Sequence, residues 1–349
     1  MASSSAAEPS TVMVHSWFAQ RRTATSGGTS DEPEPMVDSI CIGSGRFLRA
    51  VLVPALVAAG YHPAIISPRS SRSFLESLLE QQQQQQEEED REGSRTYEID
   101  TVRFDGGIET TRVPCWGAGT LGSPEGKQDV LELCAKLPCD GNASKPLILG
   151  LGVTEAGLSS SSTTAMKDLY DVLAALSKRK RTQTQTDTDK DKDTKPPQPI
   201  HVINTDNVAK NGTVLRGYMN ELAARNTHDD SEMERFLVDS VVFHNTMVDR
   251  ITSQRPGSRG LVPRAEPTPL KALVIEDLAS QLPEAVRAET LRSRFGVVVR
   301  SHEGKLDADI ALKLRVANGT HTAIAHAMAL SGLPMTDVLS LSETKTETE

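Results

Sequence analysis

Ser39-Ile-Cys-Ile-Gly43-Ser-Gly45 is the stretch on which the fold turns. Ile40, Cys41 and Ile42 adjoin without polar alternation, which predicts a short strand buried on both faces. That strand runs straight into Gly43-Ser-Gly45. Phe47 to Ala59 then reads as a helix, with Gly60 where a left-handed residue stops one. Pro54 lies inside this helix and should bend it, because proline has no N–H and crowds the carbonyl four residues back. Ala64-Ile65-Ile66 is a second apolar run after a crossover of suitable length. Strand, glycine turn, helix and strand in this order open a dinucleotide-binding fold. Its first glycine permits a tight turn, and its second lets backbone approach a pyrophosphate at the helix N-terminus. Gly43 and Gly45 meet both needs, whereas the third glycine of G-x-G-x-x-G is here Leu48. A lone G-x-G is also a common loop, so the remaining elements decide.

Residues 146–153 (PLILGLGV) and Ile200–Asn204 read as later parallel strands, with helices at Lys167–Leu176 and Thr213–Arg225. Continuous apolar strands alternating with helices define an α/β chain with a Rossmann-like, doubly wound parallel sheet. From about residue 270 strand signals become few, which predicts a mainly helical C-terminal domain. The expected division is a disordered leader at 1–36, an NAD(P)-binding domain at 37–262, a helical substrate and catalytic domain at 263–341, and a polar tail at 342–349. Two tracts inside the first domain read as unstructured inserts, 81–90 (six glutamines, then acids) and 177–199 (KRKR, TQTQTDTDKDKD, PPQP). Neither offers enough apolar surface to offset chain entropy.

The 349 residues suffice for two domains, and 37% hydrophobic content supports a real core. A net charge of −9 argues against nucleic-acid binding, which needs a basic face. No run approaches the roughly 18 apolar residues of a membrane-spanning helix. Cys41, Cys115, Cys134 and Cys139 lack paired C-x-x-C spacing, so no zinc site is expected and a reducing compartment is the simpler reading. In the leader, Arg21 and Arg22 resemble a transit peptide, while Glu8, Asp31, Glu32 and Glu34 count against one. A cytoplasmic chain is expected, with organelle import left open.

Lys313-Leu-Arg-Val-Ala-Asn318-Gly-Thr-His321 places an amine, an amide and an imidazole in nine residues. On an α-helix, taking Lys313 as zero, His321 falls near about 80° and Asn318 near about 140°. All three can line one side. A lysine of lowered pKa serves as a general base, an asparagine donates to a developing alkoxide, and a histidine orients a hydroxyl. Such a set suits reversible oxidation of an alcohol. The same residues also read as a surface lysine, a helix-ending Asn-Gly and a scattered histidine.

Other segments resemble, in order, the polyol-specific long-chain dehydrogenase family, which includes mannitol dehydrogenases and mannitol-1-phosphate dehydrogenases. KLRVANGTH resembles its K-x-R-x-x-N-G-x-H signature. Asp206-Asn207-Val-Ala-Lys-Asn211-Gly212 is similar to D-N-x-x-x-N-G, and Phe243 to Ile251 to F-x-N-[ST]-M-V-D-R-I. Thr154-Glu155-Ala-Gly157 resembles T-E-x-G-Y with Leu158 replacing the aromatic residue, and Val274 to Asp277 fits a further element. The family turn G-x-G-x-F-x-R-A is matched by Gly43, Gly45, Phe47, Arg49 and Ala50.

The resemblance implies roles. Lys313 is the expected acid/base, Asn318 and Asn207 (with Asn211 close behind) the pair holding the substrate oxygen, and His321 the orienting residue. Asp249 either positions Lys313 or binds hydroxyls, its alternative being a structural contact with Arg250. Gly43, Gly45, Phe47, Arg49, Thr154 and Glu155 are expected at the cofactor, NAD or NADP, with no metal. After the second strand, Ser67-Pro-Arg69-Ser70-Ser71-Arg72 carries no acid for a ribose hydroxyl. Arg69 and Arg72 there suit a 2′-phosphate, or form an ordinary basic loop.

The leading expectation is reduction of fructose 6-phosphate to mannitol 1-phosphate, with Arg250, Lys271 and Arg315 as phosphate candidates. Free fructose or a hexuronate is the alternative within the class, and a shortened, non-catalytic nucleotide- or partner-binding chain the alternative outside it. Family members continue with further helices, so the C-terminal domain is expected to be shortened. Ile324, Met328 and Leu330 would then lie bare, in a monomer or covered in a homodimer.

Overall fold

A computed structural model describes residues 37–68, 74–76, 78, 95–137, 145–187, 198–226, 230–258, 261–267 and 270–332. The expected leader and tail, the 81–90 insert and the Arg69–Arg72 loop lie outside them, as does Cys139. Strand β1 (Ser39–Ile42) leads through Gly43–Gly45 into a π turn (Leu48–Leu52) and helix α1 (Val53–Ala58). The bend expected at Pro54 is thus a change of helix type. Pro54 has no N–H for the Ala50 carbonyl, and Arg250 Nη1 donates to that oxygen instead, at 2.6 Å. Gly60, at φ 80°, ends the helix as expected.

Strand β2 (Pro63–Ser67) follows, then a hairpin of β3 (Arg95–Val102) and β4 (Ile108–Cys115), then β5 (Gly117–Thr120). Helix α2 (Pro124–Lys136) leads to β6 (Ile148–Leu151), α3 (Thr164–Asp187), β7 (Ile200–Asn204), α4 (Asn211–Arg225), α5 (Asp230–Ser240) and β8 (Val241–His244). Helix α3 outruns the expected Lys167–Leu176 and takes in the first part of the tract read as unstructured at 177–199. Short strands β9 (Thr246–Val248), β10 (Thr252–Gln254), β11 (Pro263–Ala265) and β12 (Leu273–Glu276) come next. Helices α6 (Glu284–Arg287) and α7 (Glu289–Phe295) precede β13 (Val297–Arg300). Helix α8 (Lys305–Lys313), a second π turn (Leu314–Asn318) and α9 (Gly319–Leu330) end the described chain.

Six strands form a parallel sheet in the order β5-β2-β1-β6-β7-β8. Both of its faces are covered, which is why the strands lack polar alternation. On β1, β2 and β6, Cys41, Ile65 and Ile148 face one core with Leu48, Leu52 and Leu56. Ile40, Ile66 and Leu149 face the other, with Met166, Leu169 and Leu215. A second sheet (β10-β11-β3-β4) and a third (β13-β12-β9) flank this one. The C-terminal part is helical from Lys305, but Leu273–Glu276 and Val297–Arg300 are strands where few were expected. Along α9 no residue is buried, and Ile324 and Leu330 are exposed.

Candidate active site

Loops leaving the C-terminal ends of the parallel strands build the site. The sheet order reverses between β1 and β6, and ligands of open α/β sheets bind in the crevice there. Gly43 leaves β1 at φ 126°, and a Cβ on it would stand 2.5 Å from the Gly152 carbonyl oxygen, so only glycine fits. Around Gly45 a Cβ would meet no heavy atom within 4 Å, and the helix begins directly after it. The turn therefore presents bare backbone at the positive end of a helix, the cradle a pyrophosphate needs. Arg46 is exposed beside it, a cation the sequence reading passed over.

Leu48 departs from the three-glycine pattern, and the structure shows how. The third glycine normally lets helix and strand approach closely. Here the room is on the strand side. A Cβ on Gly150 would lie 2.7 Å from Leu52 and one on Gly152 3.0 Å from Leu48 Cβ. Arg49 is a correction. Expected at the cofactor, it is buried beneath the turn, with Nε donating to Ser44 O at 2.8 Å and Nη1 to Leu261 O. Its guanidinium stacks on Phe74, and burial pushes its pKa down to about 10. It holds the turn's shape from behind. Phe47 is half-buried against the same core.

Thr154 and Glu155 follow β6 and are exposed at the crevice mouth, while Leu158 turns into the core. At the end of β7, Asp206 is buried and its Oδ1 accepts the Val208 N–H at 2.6 Å, with Asn204 donating to Oδ2. Burial pushes this carboxyl up to about 6, and the charge of Glu155 adds to the rise.

The two asparagines of the next turn separate clearly. Asn211 is fully buried. Its Nδ2 donates to Thr246 Oγ1 at 2.9 Å, and its Oδ1 accepts the Thr246 and Gly212 amides at 2.9 and 2.8 Å. It clamps α4 to β9 and presents nothing to a substrate. Asn207 is exposed, and its Oδ1 accepts from Lys313 Nζ at 2.7 Å.

Lys313 closes α8. Its Nζ also donates to the Val248 carbonyl, at the end of β9 and next to Asp249. Burial pushes the Lys313 pKa down, and the nearby charge of Asp249 opposes the fall. An amine, an amide and a carboxylate from three separate segments thus meet beside the crevice. Between Lys313 and Asn318 the helix takes its π turn. A π turn bonds i to i+5 and brings residues five apart nearer one face than the roughly 140° of an α-helix. Asn318 and His321 are exposed on that side chain ladder, and among the described residues neither side chain hydrogen-bonds Lys313. His201 and His244 lie in the core: their rings meet at 2.9 Å, and His244 Nδ1 reaches the Glu276 carbonyl. Among the described residues no group of three or more His, Cys, Asp or Glu is placed to hold a metal ion.

An α/β chain whose glycine turn sits at the switch point of a six-stranded parallel sheet is a Rossmann-type dinucleotide-binding protein. Residues 38–292 match the family described as mannitol dehydrogenase Rossmann domain, and the chain belongs to that family. Lys313, Asn318 and His321 lie beyond the matched residues. Over 149 residues the chain is 28% identical to mannitol 2-dehydrogenase of Aspergillus terreus, covering 39% of this chain and 27% of that protein. Among solved structures, yersinopine dehydrogenase with NADP+ bound aligns at a TM-score of 0.39 and 9% identity, over 76% of this chain and 48% of that one. Its apo form aligns at 0.36 and 8%. The chain thus spans about a quarter to a half of the length of these relatives.

Proposed function

We propose that this protein interconverts a polyol and its ketose by hydride transfer with NAD or NADP, and that Lys313 is the acid/base. The observation that carries this reading is the Lys313 ammonium, half-buried between Asn207 Oδ1, in the loop that follows β7, and the Val248 carbonyl. The open backbone at Gly45, with Arg46 beside it, fits the cofactor's pyrophosphate, and the exposed Thr154 and Glu155 follow β6, the neighbour of β1. The bound cofactor supplies or accepts the hydride. In ketose reduction, protonated Lys313 gives its proton to the substrate oxygen as that oxygen gains charge. In polyol oxidation the neutral amine removes it, and the pKa lowered by burial raises the neutral fraction near neutral pH. Asn207, whose Oδ1 is taken by Lys313, is exposed, and its amide serves as one donor to the same oxygen, with Asn318 as the second and His321 orienting a neighbouring hydroxyl. Asp249 favours the protonated state between turnovers.

The substrate is a free hexose in this reading, against the phosphorylated one expected first. Arg250 is committed to the Ala50 and Glu266 carbonyls and Lys271 to Asp309, so two of three phosphate candidates are already spoken for. Oxidation of NADH and NADPH with fructose, fructose 6-phosphate and tagaturonate tests this. Turnover with fructose exceeding that with fructose 6-phosphate supports it, and the reverse order restores the phosphorylated substrate. Cofactor binding without turnover on any of them favours a non-catalytic chain.

A further inference from the structure

Asp309 stands one helical turn before Lys313 on α8. An acid four residues ahead of a lysine is the favoured spacing for an intrahelical ion pair. Here that pair is not made. Asp309 is buried, and two cations from elsewhere hold its carboxylate. Lys271 Nζ lies 2.6 Å from Oδ1, and Arg300 places Nε 2.7 Å from Oδ2 and Nη2 3.2 Å from Oδ1. Despite burial, this pairing keeps the Asp309 carboxyl below the usual carboxylate range. Lys271 lies just ahead of β12 and Arg300 ends β13, so the contact ties the catalytic helix to the third sheet.

We propose that Lys271 and Arg300 clamp Asp309 away from Lys313, and thereby set the basicity of that amine and the angle at which α8 presents it. This rests on Lys313 being the acid/base. Asp309, Lys271 and Arg300 are positioning residues, since none reaches the reacting atoms. The charged groups around Lys313 are Asp249 after β9, Glu276 at the end of β12 and Arg300 at the end of β13. Its own helix adds Lys305, Asp307 and Asp309, and the π turn adds Arg315. Glu276 accepts from Asn245 Nδ2 at 3.0 Å, and Asp249 is the carboxylate whose charge acts on Lys313. A released Asp309 would be a second.

The test is the pH dependence of kcat/KM for mannitol oxidation, whose rising limb follows loss of the Lys313 proton. Lys271→Met with Arg300→Met frees Asp309, and the limb should move up by about one pH unit, a close opposite charge being worth about 1–3 units. Adding Asp309→Asn removes the freed carboxylate and should bring the limb back down towards the wild-type position without reaching it, since both cations are gone. Asp309→Asn alone leaves two cations and should move the limb down, which keeps the proposal testable where the double variant does not fold. A clamp that only stabilises the fold would lower stability in these variants and move no limb. An unmoved limb in folded variants, or one the triple variant fails to lower from its position in the double variant, overturns the proposal. Competitive acetylation of Lys313, followed by mass spectrometry against pH, reads the same limb without turnover. Lys313→Met retaining turnover would instead overturn the acid/base reading. Lost turnover in Lys313→Met beside an unmoved acetylation limb in the clamp variants would overturn the clamp alone.

Discussion

Gly43 and Gly45 stand two residues apart under opposite constraints. Gly43 is pinned by its φ of 126° and by the Gly152 carbonyl, so Gly43→Ala should lower stability by at least about 1–3 kcal/mol, seen as a reduced thermal midpoint. Gly45 faces open space. Gly45→Ala should leave the midpoint nearly unchanged and weaken NADH or NADPH binding by about tenfold, or about 1.4 kcal/mol, in a fluorescence titration. Equal effects of the two changes on stability would contradict these separate roles. The asparagines divide in the same way. Asn211→Ala leaves buried Thr246 and Gly212 groups unpaired, at about 1–3 kcal/mol each, whereas Asn207→Ala should spare stability and cut turnover. Sequence alone put Asn207 only narrowly ahead of Asn211, because spacing from a glycine does not say which amide points inward. The glycine turn itself was legible, since strand, turn and helix occupy consecutive residues. The compensation for Leu48 was not, because Gly150 and Gly152 lie a hundred residues away and meet it only in the folded sheet.

Elements differed in legibility according to how they are buried. Strands covered on both faces, such as Ile200–Asn204, announce themselves as unbroken apolar runs. The β3–β4 hairpin does not: most of β4 is exposed and reads as polar connection. Strands β9, β10 and β11 span three residues each, too short for a period of two to register. Val297–Arg300 is an apolar run that reads equally as a buried turn of helix, and pairing with β12 decides it. The π turn before α1 shows a similar long-range dependence. Proline leaves the Ala50 carbonyl without its usual donor, and Arg250 supplies one from 200 residues away. Arg250→Met should therefore lower stability by about 1–3 kcal/mol through the orphaned Ala50 and Glu266 carbonyls, read as a reduced urea midpoint. Arg250→Lys should recover little of it, because a single ammonium cannot span both acceptors. Full recovery with lysine would show that charge, and not the fork, is what the site needs.

Across the whole molecule, buried titratable groups couple the fold to pH. Burial pushes His201 down to about 3 and His244 down as well. Between their ordinary value of 6.5 and those lower values, the unfolded chain binds protons that the folded chain refuses. Stability is then fully present above pH 6.5 and falls below it, by about 1.4 kcal/mol per pH unit for His201, with His244 adding to the fall in the same direction. Asp206, raised from 3.8 to about 6, works the other way: its contribution is full below 3.8 and lost as pH rises through 6. Two groups outweigh one, so the guanidinium midpoint should drop from pH 7 to pH 5. His201→Gln with His244→Gln should flatten that slope, and an unchanged slope would assign it elsewhere. In the proposed arrangement, a parallel sheet supplies the cofactor turn and a C-terminal helix supplies the amine. Turnover of mannitol and fructose in Lys313→Met, with NADH and NADPH affinity measured in the same preparation, tests this most directly. The account predicts a loss of about 10²–10⁴-fold in turnover with cofactor affinity nearly intact, since the turn at Gly43–Gly45 is untouched. Near-wild-type turnover with unchanged cofactor binding would contradict it.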